Sequence, residues 1–211
     1  MKRIAVVSFD LEGTLVTPAF SHAVWHEEMP RLYARKYGMG LAEARAKITG
    51  QYDEVGDQRM EWYDIAYWFQ RFGLADHHEA LERCKGLVSC YAEVPEVLES
   101  LGRQYVLIVT SSSTRDFIPH LLDGMEHHFS RVFSSTSDCG QLKTAAFYSD
   151  VCGKMGTAPA EMAHVGDSRQ FDFDVPSLLG IRAFHLDRAG GNSGGSTVSS
   201  LAQLGGLLRR G

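Results

Sequence analysis

Residues 6–15, Val-Val-Ser-Phe-Asp-Leu-Glu-Gly-Thr-Leu, constrain this chain more than any other stretch. A short, largely apolar run ends on Asp10, and Glu12, Gly13 and Thr14 follow at once. A run of this length, stopped by an acid and a glycine, reads as a buried strand that opens into a loop. In open parallel α/β sheets, ligands bind outside the carboxyl ends of the strands. A carboxylate held there can act as a nucleophile and form an acyl-phosphate. The acid two residues on is placed to move a proton or to help hold a cation. Gly13 permits a tight turn that brings backbone close to a ligand. An ordinary strand-to-loop junction with surface acids is the plain alternative, and only further motifs decide between them.

The rest of the chain supports a parallel sheet. Apolar segments at Ile4–Phe9, Tyr105–Val109, Arg131–Phe133, Glu161–Val165 and Ile181–Leu186 predict strands. Helical spacing predicts helices over Pro95–Leu101, Phe117–Leu122, Phe147–Met155 and Leu201–Leu208. The alternation predicts an α/β fold, a Rossmann-like parallel sheet with helices on both faces. Residues 20–89 differ. They are rich in aromatics and helix formers, with stripes at Trp25, Met29, Leu32, Tyr33 and Tyr37, then at Trp62, Ile65, Phe69 and Phe72, then at Leu81, Cys84, Leu87 and Val88. Pro30 must start, kink or split the first of these helices. The expected organisation is a core of residues 1–19 and 90–211 interrupted by an all-helical cap over 20–89. The Gly- and Ser-rich stretch 189–196 is expected to be a flexible loop.

Composition excludes several classes. With 211 residues, 44% of them hydrophobic and 22% charged, the chain can bury a sizeable core. Net charge is −5 and no basic block stands out, so nucleic acid is not an expected partner. No apolar stretch approaches the ~20 residues that span a bilayer, and the N-terminal run stops too early for a signal peptide. The cysteines at 84, 90, 139 and 152 form no Cys-x-x-Cys pair. The expectation is a reduced, cytoplasmic protein with buried or inert thiols.

Three further motifs carry chemistry. Leu107–Ser111 ends on Thr110 and Ser111, hydroxyls that either bond a phosphate oxygen or cap a helix. Lys143 could neutralise both a nucleophilic carboxylate and an incoming phosphate, or be a solvated charge. His164-Val-Gly-Asp-Ser-Arg-Gln-Phe-Asp172 ends a strand in Gly166-Asp167, with a second acid following at Asp172. Hard oxygen ligands of that kind suit Mg²⁺.

In this order and at these strand ends, the motifs resemble the haloacid dehalogenase superfamily. The resemblance covers residues 1 to about 19 and about 90 to 188, while the helical cap matches only as an insertion at the expected place. Asp10, Gly13 and Thr14 match the first motif, Thr110 the second, Lys143 the third, and Asp167 and Asp172 the fourth. Glu12 stands where aspartate is usual, Ser111 where asparagine is common, Thr144 where proline often follows the lysine, and Pro176 where a small helix residue is usual. The resemblance implies an Mg²⁺-dependent phosphatase acting on a small phosphorylated metabolite. Asp10 would form an aspartyl-phosphate and Glu12 would serve as acid, then base. Mg²⁺ would sit between Asp10, the backbone carbonyl of Glu12, Asp167 and the phosphate. Thr110, Ser111 and Lys143 would cradle the transferring oxygens, and Asp172 would orient the metal site or Lys143.

Rival readings are a hydrolytic 2-haloacid dehalogenase, a phosphotransferase, and a regulatory binder that keeps the pocket. Glu12 and the Asp167/Asp172 pair argue against the dehalogenase, which needs neither a proton-shuttling acid nor a metal. His22 and His26 read as a solvated or cap-lining pair, and His164 as a satisfied core histidine. Trp62, Tyr63, Tyr67 and Trp68 read mainly as cap core, with one face able to meet substrate. Arg31, Arg59 and Arg169 are candidate anion contacts, each weighed against plain surface charge.

Overall fold

The structure is a computed structural model, and it describes residues 3–191 and 194–209. Among the described residues, six parallel strands form one sheet: β1 (Val6–Phe9), β2 (Val106–Ser111), β3 (Arg131–Ser134), β4 (Met162–Gly166), β5 (Arg182–Leu186) and β6 (Thr197–Val198). Their spatial order is β3-β2-β1-β4-β5-β6. The chain runs outward from β1 to β3 and then returns to β4 on the other side. The boundary between β1 and β4 is therefore the switch point, where the crossovers diverge and leave a crevice. Asp10 and Asp167 each follow one of these two strands.

Alternation along the strands divides the core. Val7, Phe9, Leu107, Val109, Ala163 and Val165 face one layer of helices, whereas Val6, Ile108, Phe133 and Met162 face the other. The first layer is built on α6 (Val94–Gly102) and α7 (Ile118–Leu121), the second on α9 (Ala145–Met155). The expected strands and core helices are present with end shifts of a few residues. Within the sheet and its flanking layers, α8 (Ser135–Cys139) and the short edge strand β6, which pairs with β5 through Leu186↔Val198, were not expected. β6 falls just after the stretch expected to be a flexible loop, of which Asn192 and Ser193 lie outside the described residues.

Between β1 and β2 the described chain carries helices: α1 (Ala19–Ala23), α2 (Met29–Tyr37), α3 (Leu41–Val55), α4 (Ile65–Arg71) and α5 (His77–Cys84). Pro30 splits the first stripe. It lies in the first turn of α2, directly after a π-helical turn at Val24–Glu28, and α2 stops at left-handed Gly38. Asp64 and Asp76 cap α4 and α5 by accepting the amides of Tyr67 and Glu79 at 3.1 Å. The interior of this segment is aromatic. Trp68 is fully buried and stacks on Phe72 with centroids 5.5 Å apart, and Tyr52 meets Trp68 edge-on at 4.7 Å. Helix α3 escaped the sequence reading because its buried face is spaced out as Ala44, Ile48 and Tyr52 among polar residues. Cys84 and Cys152 are buried, Cys139 is half-buried and Cys90 is exposed.

Candidate active site

A cavity of about 810 Å³ opens at the carboxyl ends of β1, β2, β4 and β5, beneath the helical segment. Its floor holds Asp10, Glu12, Lys143, Asp167 and Asp172. Each reaches the floor for a local reason. Asp10 is the first residue past β1, tied to the sheet by its amide on the Val165 carbonyl at 2.9 Å. Lys143 immediately precedes α9, whose first turn is capped by Thr144 accepting the Phe147 amide at 3.2 Å. Threonine in place of the usual proline thus fixes the same turn by a side-chain cap.

Two glycines let the carboxylates converge. Gly166 is needed because a Cβ there would stand 2.3 Å from Cγ of Asp172. Gly13 has φ +74°, and a Cβ there would stand 2.1 Å from Oδ2 of Asp167. After Ser168 the chain runs as a π-helical turn over Arg169–Asp174 before α10 (Val175–Leu178), with Pro176 in the first turn of α10. This is the distortion that Pro176 leads one to expect.

Lys143 is the electrostatic centre of the floor. Its Nζ donates to Oδ1 of Asp10 at 2.5 Å and to Oδ1 of Asp172 at 2.6 Å, with all three groups buried. Asp172 is held from every side, because Oδ1 also accepts from His164 at 3.1 Å and Oδ2 accepts the Ser168 amide at 3.0 Å. Although burial alone would raise it, the Lys143 ammonium and the His164 hydrogen bond hold Asp172 well below the ordinary carboxylate range. Asp10 goes the other way: burial outweighs Lys143, and the charges of Asp172 and Asp167 add to it. Asp167 is raised too, by burial and then by Asp172. Burial pushes Glu12 up to about 7, against a hydrogen bond donated by Ser21 of α1.

Behind the floor runs a buried chain of hydrogen bonds. Asp172 can only accept, so His164 Nε2–H is the donor to it, and Nδ1 is left to accept from Ser8 Oγ at 3.0 Å. Ser8 in turn accepts from Thr110 at 2.8 Å. Burial keeps His164 neutral, consistent with this tautomer. His164 is thus a satisfied core histidine, and its partner is the acid that anchors Lys143.

This chain takes in one residue expected at the substrate. Thr110 was expected to offer its hydroxyl to the substrate, but that group is fully buried and turned to Ser8. The hydroxyls that line the cavity are those of Ser111, Ser112 and Ser113. Thr110 lies inside the β2–β3 ladder opposite Phe133, whereas Ser111 ends β2 and the two serines after it follow at the cavity. The candidate anion contacts Arg31, Arg59 and Arg169 lie outside the cavity lining and are paired with Glu28, Glu61 and Asp174. His22 and His26 do line it, with rings 5.0 Å apart, as do Trp62 and Tyr63. The sequence reading missed Ser21, the partner of Glu12, and Arg188. Arg188 donates to the carbonyls of Gly13 at 3.1 Å and Thr14 at 2.7 Å and to Glu93 at 2.7 Å, bracing the loop after Asp10. A lone arginine far along the chain gives no local signal of that role.

Carboxylate oxygens of Asp10, Asp167 and Asp172 lie within 4.8 Å of one another. An all-oxygen donor set with raised proton affinity at two of its members fits a hard divalent cation, which would relieve the repulsion that raises them. Asp172 is the exception in the set, since its oxygens are already committed to Lys143, His164 and Ser168.

Comparison with known proteins agrees with the geometry. The family model described as haloacid dehalogenase-like hydrolase matches residues 4–174. The GMP/IMP nucleotidase YrfG of Escherichia coli is 23% identical over 181 residues, covering 85% of this chain and 81% of the nucleotidase. Among solved structures, a HAD phosphatase from Thermococcus onnurineus aligns with a TM-score of 0.87 at 23% identity, covering 97% of this chain and 98% of that one. A 2-haloacid dehalogenase from Pseudomonas syringae aligns with a TM-score of 0.70 at 21% identity, covering 98% and 99%. The chain belongs to the haloacid dehalogenase-like hydrolases.

Proposed function

We propose that this haloacid dehalogenase-like hydrolase is an Mg²⁺-dependent phosphatase that cleaves a small phosphate monoester through an aspartyl-phosphate. The observation that carries the reading is Glu12: a carboxyl at the cavity floor, held by Ser21, and pushed by burial up to about 7. A group that titrates near neutrality can give a proton in one step and take one in the next. The nucleotidase and phosphatase among the similar proteins favour the same chemistry, while the dehalogenase among them keeps the carbon–halogen reading in play.

In the first step an Asp10 oxygen attacks phosphorus in line, the ester P–O bond breaks, and the leaving alcohol takes the Glu12 proton. In the second, Glu12 takes a proton from a water whose oxygen attacks the phosphorus. Phosphate leaves and the Asp10 carboxylate is restored. Lys143 steadies Asp10 through Oδ1 and supplies positive charge beside the transferring oxygens. Ser111–Ser113 supply hydroxyls at the same end of the cavity. Asp172, anchored by His164, positions Lys143. Asp10, Asp167 and the backbone carbonyl of Glu12 would hold Mg²⁺, which neutralises and orients the phosphoryl group. Residues 20–89 act in this reading as a cap over the site that limits water and bulky substrates.

The test is phosphate release from a panel of monoesters with Mg²⁺ and with excess EDTA, beside chloride release from 2-chloropropionate. Metal-dependent phosphate release supports the reading. Chloride release that survives EDTA would replace it with the dehalogenase.

A further inference from the structure

The cavity is far larger than a phosphoryl group requires. Its 810 Å³ falls in the range of pockets that engulf a whole small molecule, about 300–1,000 Å³. What surrounds that extra space is aromatic. Trp25, Tyr52, Trp62, Tyr63 and Phe117 line it. These rings are braced against one another. Trp25 stacks on Phe117 at 5.4 Å with 13° between planes, and Tyr52 stands edge-on to Trp25 at 5.9 Å. Tyr52 also meets Trp62 at 5.9 Å and donates its hydroxyl to the Trp25 carbonyl at 3.1 Å. Tyr63 is held by its hydroxyl on the Asp57 carbonyl at 3.2 Å. A wall ordered before binding loses little side-chain freedom when a flat ring docks on it.

The wall also lacks a free lysine or arginine. Among the described residues, the lysine and arginine that line the cavity are Lys143 and Arg188. Lys143 is committed to Asp10 and Asp172, and Arg188 to Gly13, Thr14 and Glu93, with its guanidinium 3.4 Å over the Tyr91 ring. His26, at the same wall, is kept below its ordinary range by burial and by His22, so it adds no charge near neutrality. Asp57, at the rim, is acidic. A second anionic group on the substrate would therefore be desolvated with no lysine or arginine free to pair with it, which disfavours its binding.

Resting on the phosphatase reading, we infer that the alcohol half of the substrate is uncharged and carries a flat ring, as in a nucleoside 5′-monophosphate. Esters bearing a carboxylate or a second phosphate are rejected by the same wall. The class is set by Trp62 and its neighbours rather than by the carboxylate floor.

The experiment compares kcat/KM for a nucleoside 5′-monophosphate, glycerol 3-phosphate and phosphoglycolate, in the intact protein and in Trp62→Ala and Trp62→Arg. The intact protein should favour the nucleotide over phosphoglycolate by about tenfold or more, the scale of one base–aromatic stack. Trp62→Ala should bring the nucleotide-to-glycerol-phosphate ratio towards one, mainly through KM. Trp62→Arg should raise phosphoglycolate turnover, a gain that misfolding cannot produce. Equal or preferred use of phosphoglycolate by the intact protein would overturn the inference while leaving the phosphatase reading standing. If no monoester is hydrolysed, the phosphatase reading fails. Calorimetry with a nucleoside 5′-phosphonate against phosphonoacetate then decides the inference: tighter nucleoside binding upholds it, and equal binding overturns it.

Discussion

The floor and the roof of the cavity are built on different physics. The floor is made of charges brought together at strand ends, each fixed by a named partner: Asp10 by Lys143, Asp172 by Lys143, His164 and Ser168, Glu12 by Ser21. The roof is made of rings, held by edge and face contacts and by hydroxyls on backbone carbonyls. A floor of this kind tolerates almost no displacement, because electrostatic effects in a buried site depend steeply on distance. A roof of rings can exchange one ring for another and change what binds while the chemistry below stays the same. Changes to the floor should therefore act on turnover, and changes to the roof on substrate choice.

The largest effect expected from the floor is that of Asp10→Asn. The amide is nearly isosteric but cannot attack phosphorus, so steady-state assays should find no turnover while circular dichroism keeps the native spectrum. Residual activity of even a few per cent would break the division between floor and roof at its first point. Next comes Glu12→Gln, which should lower kcat by about 10²–10⁴-fold, the usual weight of a general acid–base group, with KM little changed. A variant with unaltered kcat would assign proton transfer elsewhere.

Gly166→Ala sharpens the comparison without touching a charged group. Its Cβ would collide with Cγ of Asp172, so either that carboxylate moves off Lys143 or the strand end shifts. Overpacking of this kind costs about 1–3 kcal/mol. Thermal denaturation should show that loss, and kcat should fall with it. A stable and fully active variant would show that the exact seat of Asp172 does not matter.

The smallest effect concerns pH. Glu12 has a folded value near 7 against an ordinary 4.5, so the folded chain binds more protons than the unfolded chain in between. Stability contributed by Glu12 should therefore fall as pH rises from about 4.5 to 7. Asp10 and Asp167, raised for related reasons, add to the same slope, whereas Asp172, held low, does not enter this window. In EDTA, the melting temperature should drop across that range, and Glu12→Gln should reduce the slope. Mg²⁺ should raise the melting temperature at pH 7, by about 2.7 kcal/mol of stability at a hundredfold excess over its dissociation constant. Asp167→Asn should remove most of that gain.

The two regions also differed in how far they could be read from the chain. Asp10, Lys143 and the Asp167/Asp172 pair were legible because each stands at a strand or helix end with a local signature, and the sheet brings those ends together. Thr110 sits on Ser8 rather than in the cavity lining, and where β2 ends, which separates it from Ser111, was not legible from hydropathy alone. Ser21, His164 and Arg188 owe their roles to partners far along the chain. The Arg188 contact with Gly13 spans a sequence separation of 175 residues. In the roof, the stripes at Trp25 and Trp62 announced helices, but nothing in their spacing told which rings would face the cavity. That depended on how the π-helical turn at Val24–Glu28, α3 and the turn at Met60–Tyr63 pack together.

The central claim is that Asp10 carries the phosphoryl group between two steps. Glu12→Gln slows the proton transfers of both steps, and water attack on the intermediate also needs the missing base. Mixing that variant with a hydrolysable monoester and Mg²⁺, quenching in acid and analysing the peptides by mass spectrometry reads the claim directly. The account predicts the mass of one phosphoryl group on the peptide containing Asp10, localised to Asp10. Phosphate released over the same interval with Asp10 always unmodified would contradict it.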